Sequence, residues 1–391
     1  MIYSLGILLA GGIALSVYAY HLCQPSREDA PPKRTLVSEK DNAQKWCASP
    51  WLFSPDSKLL VTSTASRKTE AALDLWNVET GERKATVALP QQVQSLSFNE
   101  RGDVLAVATG GPWQSAGSGK PREVRLLSFP DLKETKKVES RQYVSAALLS
   151  PNGRLLALLK HDESKPMELP HELSIWEVES QQRKYGVEDF RARGTFVVRF
   201  SPDGRRIAHT DYAPPLAPDS KDLRRDKLAI REYEAETGKV LQTLYDPPKG
   251  PYLVNFEYSA DGDRFFINNG DGVSQYTFKD AEYQLVCDYK AEKKKIGTIR
   301  HLLVSRDGKW LVMGFDGKYL GPRALTPTVI IWDLAGAKES CRWKVDGLTP
   351  QMSYLPIGAM ALSPDKKTLA VGGNGLHLYD LSDKLKPAAK E

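Results

Sequence analysis

The sequence is poor in the residues that build metal sites and disulfide frameworks. Its four cysteines show no Cys-x-x-Cys spacing, which excludes a zinc knuckle and a thioredoxin-like redox motif. A disulfide scaffold needs more cysteines in a shorter chain, so we expect unpaired thiols, with Cys287 and Cys341 in outer strands. The six histidines never pair at a metal-ligand spacing. We therefore expect no metal ion and no other cofactor.

Neither sign of charge is in large excess, and catalytic motifs are missing. The chain has 54 basic and 49 acidic residues and a net charge of +5, which is too balanced to favour a nucleic-acid partner. No Gly-x-Ser-x-Gly elbow is found. The segment 115–120 lacks the first glycine of a phosphate-binding loop and is followed by Pro121. We predict a protein that is not an enzyme.

The chain does contain one four-residue motif that is repeated seven times. A typical copy is Ser201-Pro202-Asp203-Gly204, between the apolar runs 197–200 and 206–208. Proline presets φ, aspartate bonds its own backbone, and glycine accepts a positive φ, so each copy predicts a tight turn between two strands. The copies occupy residues 54–57, 99–102, 150–153, 201–204, 259–262, 305–308 and 363–366.

Each turn is followed by two further predicted strands. The third strand of a unit is rich in apolar residues and often carries an aromatic residue, as in 173–178 and 329–334. Another turn then leads to a fourth strand, as at 236–239. Seven units of four strands predict an all-β fold, a seven-bladed β-propeller of four-stranded blades.

The turn and the Ile-Trp-Asp/Glu pattern resemble the WD-repeat and bacterial YVTN-like seven-bladed propellers of the membrane-anchored type. The resemblance covers roughly residues 35–385 and implies a propeller fold rather than a particular activity. The chain also departs from the family. The Gly-His pair of a WD repeat is absent, and only Trp332-Asp333 keeps the terminal dipeptide.

The seventh unit has only three clear strands, which leaves an open edge in the ring. The segment after Leu381 is short and charged and includes Pro387, so it makes a poor fourth strand. Segment 34–38 lies just before the first unit and would supply the missing outer strand. We predict that this N-terminal segment closes the last blade.

An uncharged apolar run, residues 2–22, opens the chain. It is long enough to span a bilayer as a helix and lacks the flanks of a cleaved signal. We predict a transmembrane anchor over 1–23, a linker over 24–33, the propeller over 34–385 and a tail over 386–391. Basic residues after the run favour a cytoplasmic propeller on a single-pass cell-membrane protein; an extracytoplasmic propeller is the alternative.

Several connections between second and third strands are longer than the turns: 64–72, 110–123, 160–172, 211–227 and 316–328. In this fold these connections share one face of the ring. Insertions on one face commonly mark a binding surface. We therefore predict a non-catalytic scaffold that binds a protein or peptide partner, including one in a membrane complex. The alternatives are an extracytoplasmic Tol-type accessory or sensor propeller and an enzyme with a central-channel site. The candidate partner-binding residues are Trp113, Tyr212, Arg224, Arg225, Tyr319 and Arg323.

Overall fold

The computed structural model contains seven four-stranded antiparallel sheets, each built from strands that are consecutive in the chain except at the closure. The structure describes residues 31, 33–37, 50–65, 71–110, 122–140, 142–161, 170–191, 197–212, 228–245, 255–280, 282–291, 296–316, 326–345, 357–372 and 375–385. This arrangement is a seven-bladed propeller, as the repeat predicts.

Blades 1 to 3 follow the repeat without interruption. Blade 1 consists of β2 (Leu52–Phe53), β3 (Leu59–Ala65), β4 (Ala71–Asn77) and β5 (Arg83–Leu89). Blade 2 consists of β6 (Val93–Phe98), β7 (Val104–Thr109), β8 (Arg122–Ser128) and β9 (Lys133–Ser140). Blade 3 consists of β10 (Tyr143–Leu149), β11 (Leu155–His161), β12 (Pro170–Glu177) and β13 (Arg183–Arg191).

Blades 4 to 6 repeat the same order. Blade 4 consists of β14 (Val198–Phe200), β15 (Arg206–Tyr212), β16 (Leu228–Glu234) and β17 (Val240–Tyr245). Blade 5 consists of β18 (Asn255–Tyr258), β19 (Arg264–Asn268), β20 (Gly272–Thr277) and β21 (Glu282–Asp288). Blade 6 consists of β22 (Ile299–Val304), β23 (Trp310–Phe315), β24 (Thr328–Asp333) and β25 (Lys338–Lys344).

The N-terminal segment closes blade 7, which confirms the closure predicted from the sequence. Blade 7 takes three strands from the end of the chain and β1 from its beginning: β26 (Ala359–Leu362), β27 (Thr368–Gly372), β28 (Leu376–Asp380) and β1 (Lys33–Val37). Strand β1 pairs antiparallel with β28, with Lys33 opposite Tyr379 and Val37 opposite Leu376. It begins at Lys33, the last residue of the predicted linker.

The core is divided among the blade interfaces. Seven apolar clusters lie one between each pair of neighbouring blades. Both faces of a blade are therefore buried, which explains why second strands such as β23 are buried at every position. Cys287 in β21 and Cys341 in β25 are buried free thiols of outer strands, as predicted, and burial raises their pKa to about 12 and about 11.

The predicted membrane anchor, residues 1–23, lies outside the described residues. No helix in the described part of the chain is long and apolar enough to cross a bilayer.

Candidate functional site

The seven turns between first and second strands have one common geometry. In the fourth blade the Ser201 hydroxyl donates to Asp203 at 2.6 Å, and the Gly204 amide donates to the Ser201 carbonyl at 2.9 Å. The fourth turn residue has a positive φ in all seven copies: Ser57, Gly102, Gly153, Gly204, Gly262, Gly308 and Lys366. Glycine tolerates that conformation most easily, which explains its recurrence.

Neighbouring turns contact one another around the ring. An added Cβ on Gly102 would lie 2.8 Å from Pro55 of the preceding blade, and one on Gly204 would lie 3.1 Å from Pro151. The ring is completed between blades 7 and 1, where the Asp365 amide donates to the Ser57 hydroxyl at 2.9 Å. We call the ring surface that carries these turns the turn face.

The second residues of the turns surround the mouth of the central channel, and we call them the turn collar. All seven line one cavity: Pro55, Glu100, Pro151, Pro202, Ala260, Arg306 and Pro364. The two charged members are on nonadjacent blades, 2 and 6, and the Arg306 guanidinium lies 3.4 Å from the Glu100 carboxylate across the mouth.

The cavity behind the collar has a volume of about 620 Å³. Its wall is mainly apolar and comes from the ends of the innermost strands: Leu52, Phe53, Leu96, Phe98, Leu148, Leu149, Phe200, Tyr258 and Val304. That volume lies in the range of small-molecule sites in proteins. We call it the turn-side cavity.

An ion pair from adjacent blades lies deeper in the channel. Arg199 of β14 donates to Glu257 of β18 through Nη2 at 2.6 Å and through Nε at 2.8 Å. Both side chains line the turn-side cavity and also a second cavity. Burial lowers the pKa of Arg199, but the charge and hydrogen bonds of Glu257 outweigh that effect and raise it overall. The pair has no net charge and lies between the two cavities.

The second cavity opens at the opposite end of the channel and has a volume of about 470 Å³. Its lining includes the polar side chains of Gln94, Asn255 and His301. Tyr143 donates to Gln94 at 2.6 Å, and His301 Nε2 lies 2.9 Å from the Ile357 carbonyl oxygen. Burial lowers the pKa of His301, which favours its neutral form.

Connections between second and third strands leave the ring at this second end, which we call the connection face. Tyr212 is the last residue of β15 and is paired in register with Leu228 of β16, so it lies at that face. Five other candidate residues lie outside the described residues: Trp113, Arg224, Arg225, Tyr319 and Arg323. Each belongs to a connection whose flanking strands end at the connection face, and partner binding by them stays a prediction.

No local motif of the sequence reveals the Arg199–Glu257 pair, because each of two blades contributes only one of its members. Arg199 and Glu257 both stand two residues before a turn. Leu52, Ser97 and Leu148 occupy the same place in other blades and also line the channel. Opposite charges at one repeat position of adjacent blades are the signal that could have identified the pair.

Comparisons with known proteins identify the architecture. No protein-family model and no curated protein matches the chain. The solved structure of Kuenenia stuttgartiensis hydrazine synthase is similar, with a TM-score of 0.63 and 13% identity over 87% of this chain and 97% of that chain. Because 1410 solved chains match and the identity is low, this likeness shows a propeller fold and gives no information on the activity of this chain.

Proposed function

We propose that this protein is a membrane-tethered, non-catalytic β-propeller that binds a protein or peptide partner through its connection face. The observation that carries the proposal is the direction of β1. Lys33 pairs with Tyr379 near the end of β28, and Val37 pairs with Leu376 at its start. Strand β28 starts at the connection face, so β1 begins at the turn face.

This direction decides which face a tether would leave free. Arg34 at the start of β1 donates to the carbonyl oxygens of Val78 and Glu79 in blade 1, which attaches the entry point to the ring. Residues 24–32 can extend over roughly 30 Å at most. If residues 2–22 span the bilayer, the turn face is held towards the membrane and the connection face points away from it.

The connection face also has features that suit recognition of a polypeptide. Its channel mouth presents the amide side chains of Gln94 and Asn255. Gln94 already bonds Tyr143 and Gly110, but an amide group has further donor and acceptor positions. The surrounding connections differ in length from blade to blade and contribute Trp, Tyr and Arg, the residue types enriched at interface hot spots. A rigid ring with independently variable loops is well suited to binding.

The test compares two matched triple variants by crosslinking in native membranes and identifying the captured proteins. Trp113→Ala, Tyr319→Ala and Arg323→Ala alter the connection face. Lys58→Ala, Arg205→Ala and Lys309→Ala alter exposed side chains that follow the turns. We expect the first variant to lose its partners at least fivefold and the control to keep them. Equal yields from the first variant and the unaltered protein would remove the connection face as the interface.

Membrane topology is tested separately with a reporter that is active only outside the cytoplasm, fused to the C-terminus. The basic residues after the apolar run predict an inactive fusion. An active fusion would place the propeller outside and favour the Tol-type accessory or sensor function instead.

A further inference from the structure

The turn-side cavity has the composition of a ligand site rather than that of a polar water channel. Leu52, Leu148, Phe200 and Val304 line it and are only partly buried. Apolar surface facing a cavity is unfavourable in water, at roughly 25 cal/mol per Å². A ligand that covered these side chains would recover that free energy, as occupants of apolar pockets do.

The charged groups of this cavity are paired. At its deep end Arg199 and Glu257 form a salt bridge through two nitrogens of the guanidinium, and at its mouth Arg306 pairs with Glu100. Each pair has no net charge. A charged ligand would compete with one member of a pair and bring an unbalanced charge into an apolar space, which is costly. An uncharged group that both donates and accepts hydrogen bonds meets no such cost.

The cavity opens on the turn face, where β1 also begins. The proposed membrane tether, if present, would hold the start of β1, at the outer edge of this face, within about 30 Å of the bilayer, given the length of residues 24–32. An amphiphile dissolved in the bilayer would then be the nearest source of apolar ligand.

We infer that the turn-side cavity binds a small uncharged amphiphile, with an apolar body against the cavity wall and a hydroxyl or amide head at Arg199 and Glu257. The ligand enters past the turn collar. The route from the bilayer rests on the proposed function, whereas the binding site rests on the cavity alone.

Photolabelling of the full chain in lipid nanodiscs tests the site. The probe is an aryl diazirine bearing a benzyl alcohol, and the labelled peptides are identified by mass spectrometry. We expect labelling on the peptides that carry Leu148, Phe200 and Val304. Labelling that is absent from these peptides would overturn the inference.

Competition with three compounds of one shape tests the head group without any variant. Naphthalenemethanol is uncharged, naphthoate is anionic and naphthylmethylammonium is cationic, on the same ring system. We expect excess naphthalenemethanol to reduce channel labelling at least fivefold and the two ions to have less than half that effect. Equal or stronger competition by either ion would overturn the uncharged class.

Two variants then separate the channel from the outer surface. Ala260→Trp places a large side chain in the turn collar, where Ala260 is exposed. Leu285→Lys removes the most exposed of the large apolar side chains that the structure describes in the outer strands, which is 61% accessible. We expect Ala260→Trp to abolish the competable labelling and Leu285→Lys to preserve it. The opposite pattern would place the ligand on the outside of blade 5.

A comparison of two probes tests whether the ligand reaches the cavity from the membrane. The same aryl diazirine is attached to a long-chain alcohol that stays in the bilayer, and its labelling is compared with that of the water-soluble probe. Labelling of the channel by both probes supports delivery from the membrane. Labelling by the soluble probe alone overturns that route and keeps the site. Partner capture by Ala260→Trp should be unchanged. Loss of ligand binding in the cavity can therefore be distinguished from loss of partner binding at the connection face.

Discussion

The two ends of the channel are built in opposite ways. At the turn face, seven turns of one length share one backbone geometry, and each contacts its neighbour. At the connection face, the strands end in connections of unequal length, from residues 269–271 in blade 5 to residues 213–227 in blade 4. The comparison indicates that one end fixes the ring and that the other end can vary without disturbing it.

The turn aspartates and the buried histidines also differ in how they respond to acid. Asp56, Asp203, Asp261 and Asp307 lie in the turns; burial alone would raise their pKa, but hydrogen bonds from serine or lysine side chains and from backbone amides lower it. Of the three histidines whose side chains the structure describes, His301 and His377 lie near the connection face and His209 lies at the middle of β15; burial lowers the pKa of all three. The buried histidines should therefore respond to acid at a higher pH than the turn aspartates do.

The largest expected effect comes from opening the ring. Deletion of residues 33–40 removes β1 and exposes the edge of β28. Loss of one strand's backbone hydrogen bonds should lower the free energy of unfolding by roughly 3–5 kcal/mol. The thermal midpoint should fall by roughly 5–10 °C, measured by circular dichroism.

The matched control for this deletion removes the tail, residues 386–391, and should leave the midpoint unchanged. An unaltered midpoint in the β1 deletion would mean that the turn contacts alone, including Asp365 to Ser57, keep blades 7 and 1 together. That result would make the turn face sufficient for closure.

The next effect is a loss of stability in mild acid. Burial lowers the pKa of His209 to about 3, below its unfolded value of about 6.5. Above pH 6.5 the residue is neutral in both states and has no effect. As the pH falls from 6.5 towards 3, the unfolded state binds a proton that the folded state excludes, so stability decreases by about 1.4 kcal/mol per pH unit. Chemical denaturation at pH 7 and pH 5 should differ by about 2 kcal/mol for this residue.

His209→Gln tests the assignment because glutamine can hydrogen-bond but does not titrate in this range. The variant should be less sensitive to acid between pH 7 and pH 5 than the unaltered protein. The turn aspartates have lowered pKa values, so their contribution is lost only below about pH 3.8. A variant that keeps the full acid sensitivity would place the sensitive groups elsewhere.

The sequence predicted the turn face better than it predicted the channel, for a physical reason. A turn such as 201–204 is specified by adjacent residues, so Pro202 and Gly204 reveal it locally. The Arg199–Glu257 pair forms only when two blades stand in register, and its members are 58 residues apart. Tyr212 could be placed at a strand end, but nothing in the repeat determines how a connection arranges its side chains.

A smaller effect should distinguish two glycines of the turn face. Gly102 and Gly308 occupy the same turn position, with φ of +74° and +67°. An added Cβ would lie 2.8 Å from Pro55 at Gly102, but 3.5 Å from Ala260 at Gly308. Gly308→Ala should therefore cost only the positive-φ strain, about 1 kcal/mol, and Gly102→Ala about 1 kcal/mol more.

Equilibrium denaturation of both variants measures this difference directly, and Gly308→Ala serves as the control for backbone strain. Equal losses of stability would mean that contacts between adjacent turns do not hold the turn face rigidly. The turn face would then be uniform in sequence but no more constrained than the connection face.

The smallest effect concerns the ion pair between Arg306 and Glu100, which crosses the mouth of the channel. Arg306 and Glu100 are 59% and 63% exposed, so solvent screens their attraction, and exposed pairs contribute about 0–1 kcal/mol. Glu100→Gln should change the free energy of unfolding by less than about 0.5 kcal/mol, with Arg306→Gln as the matched variant. Denaturation at low and high salt gives the measurement, and the two variants should agree at both. A loss well above 1 kcal/mol that disappears in high salt would mean that charge across the mouth holds the turn face together. In that case contact between adjacent blades would no longer account for the difference between the two ends.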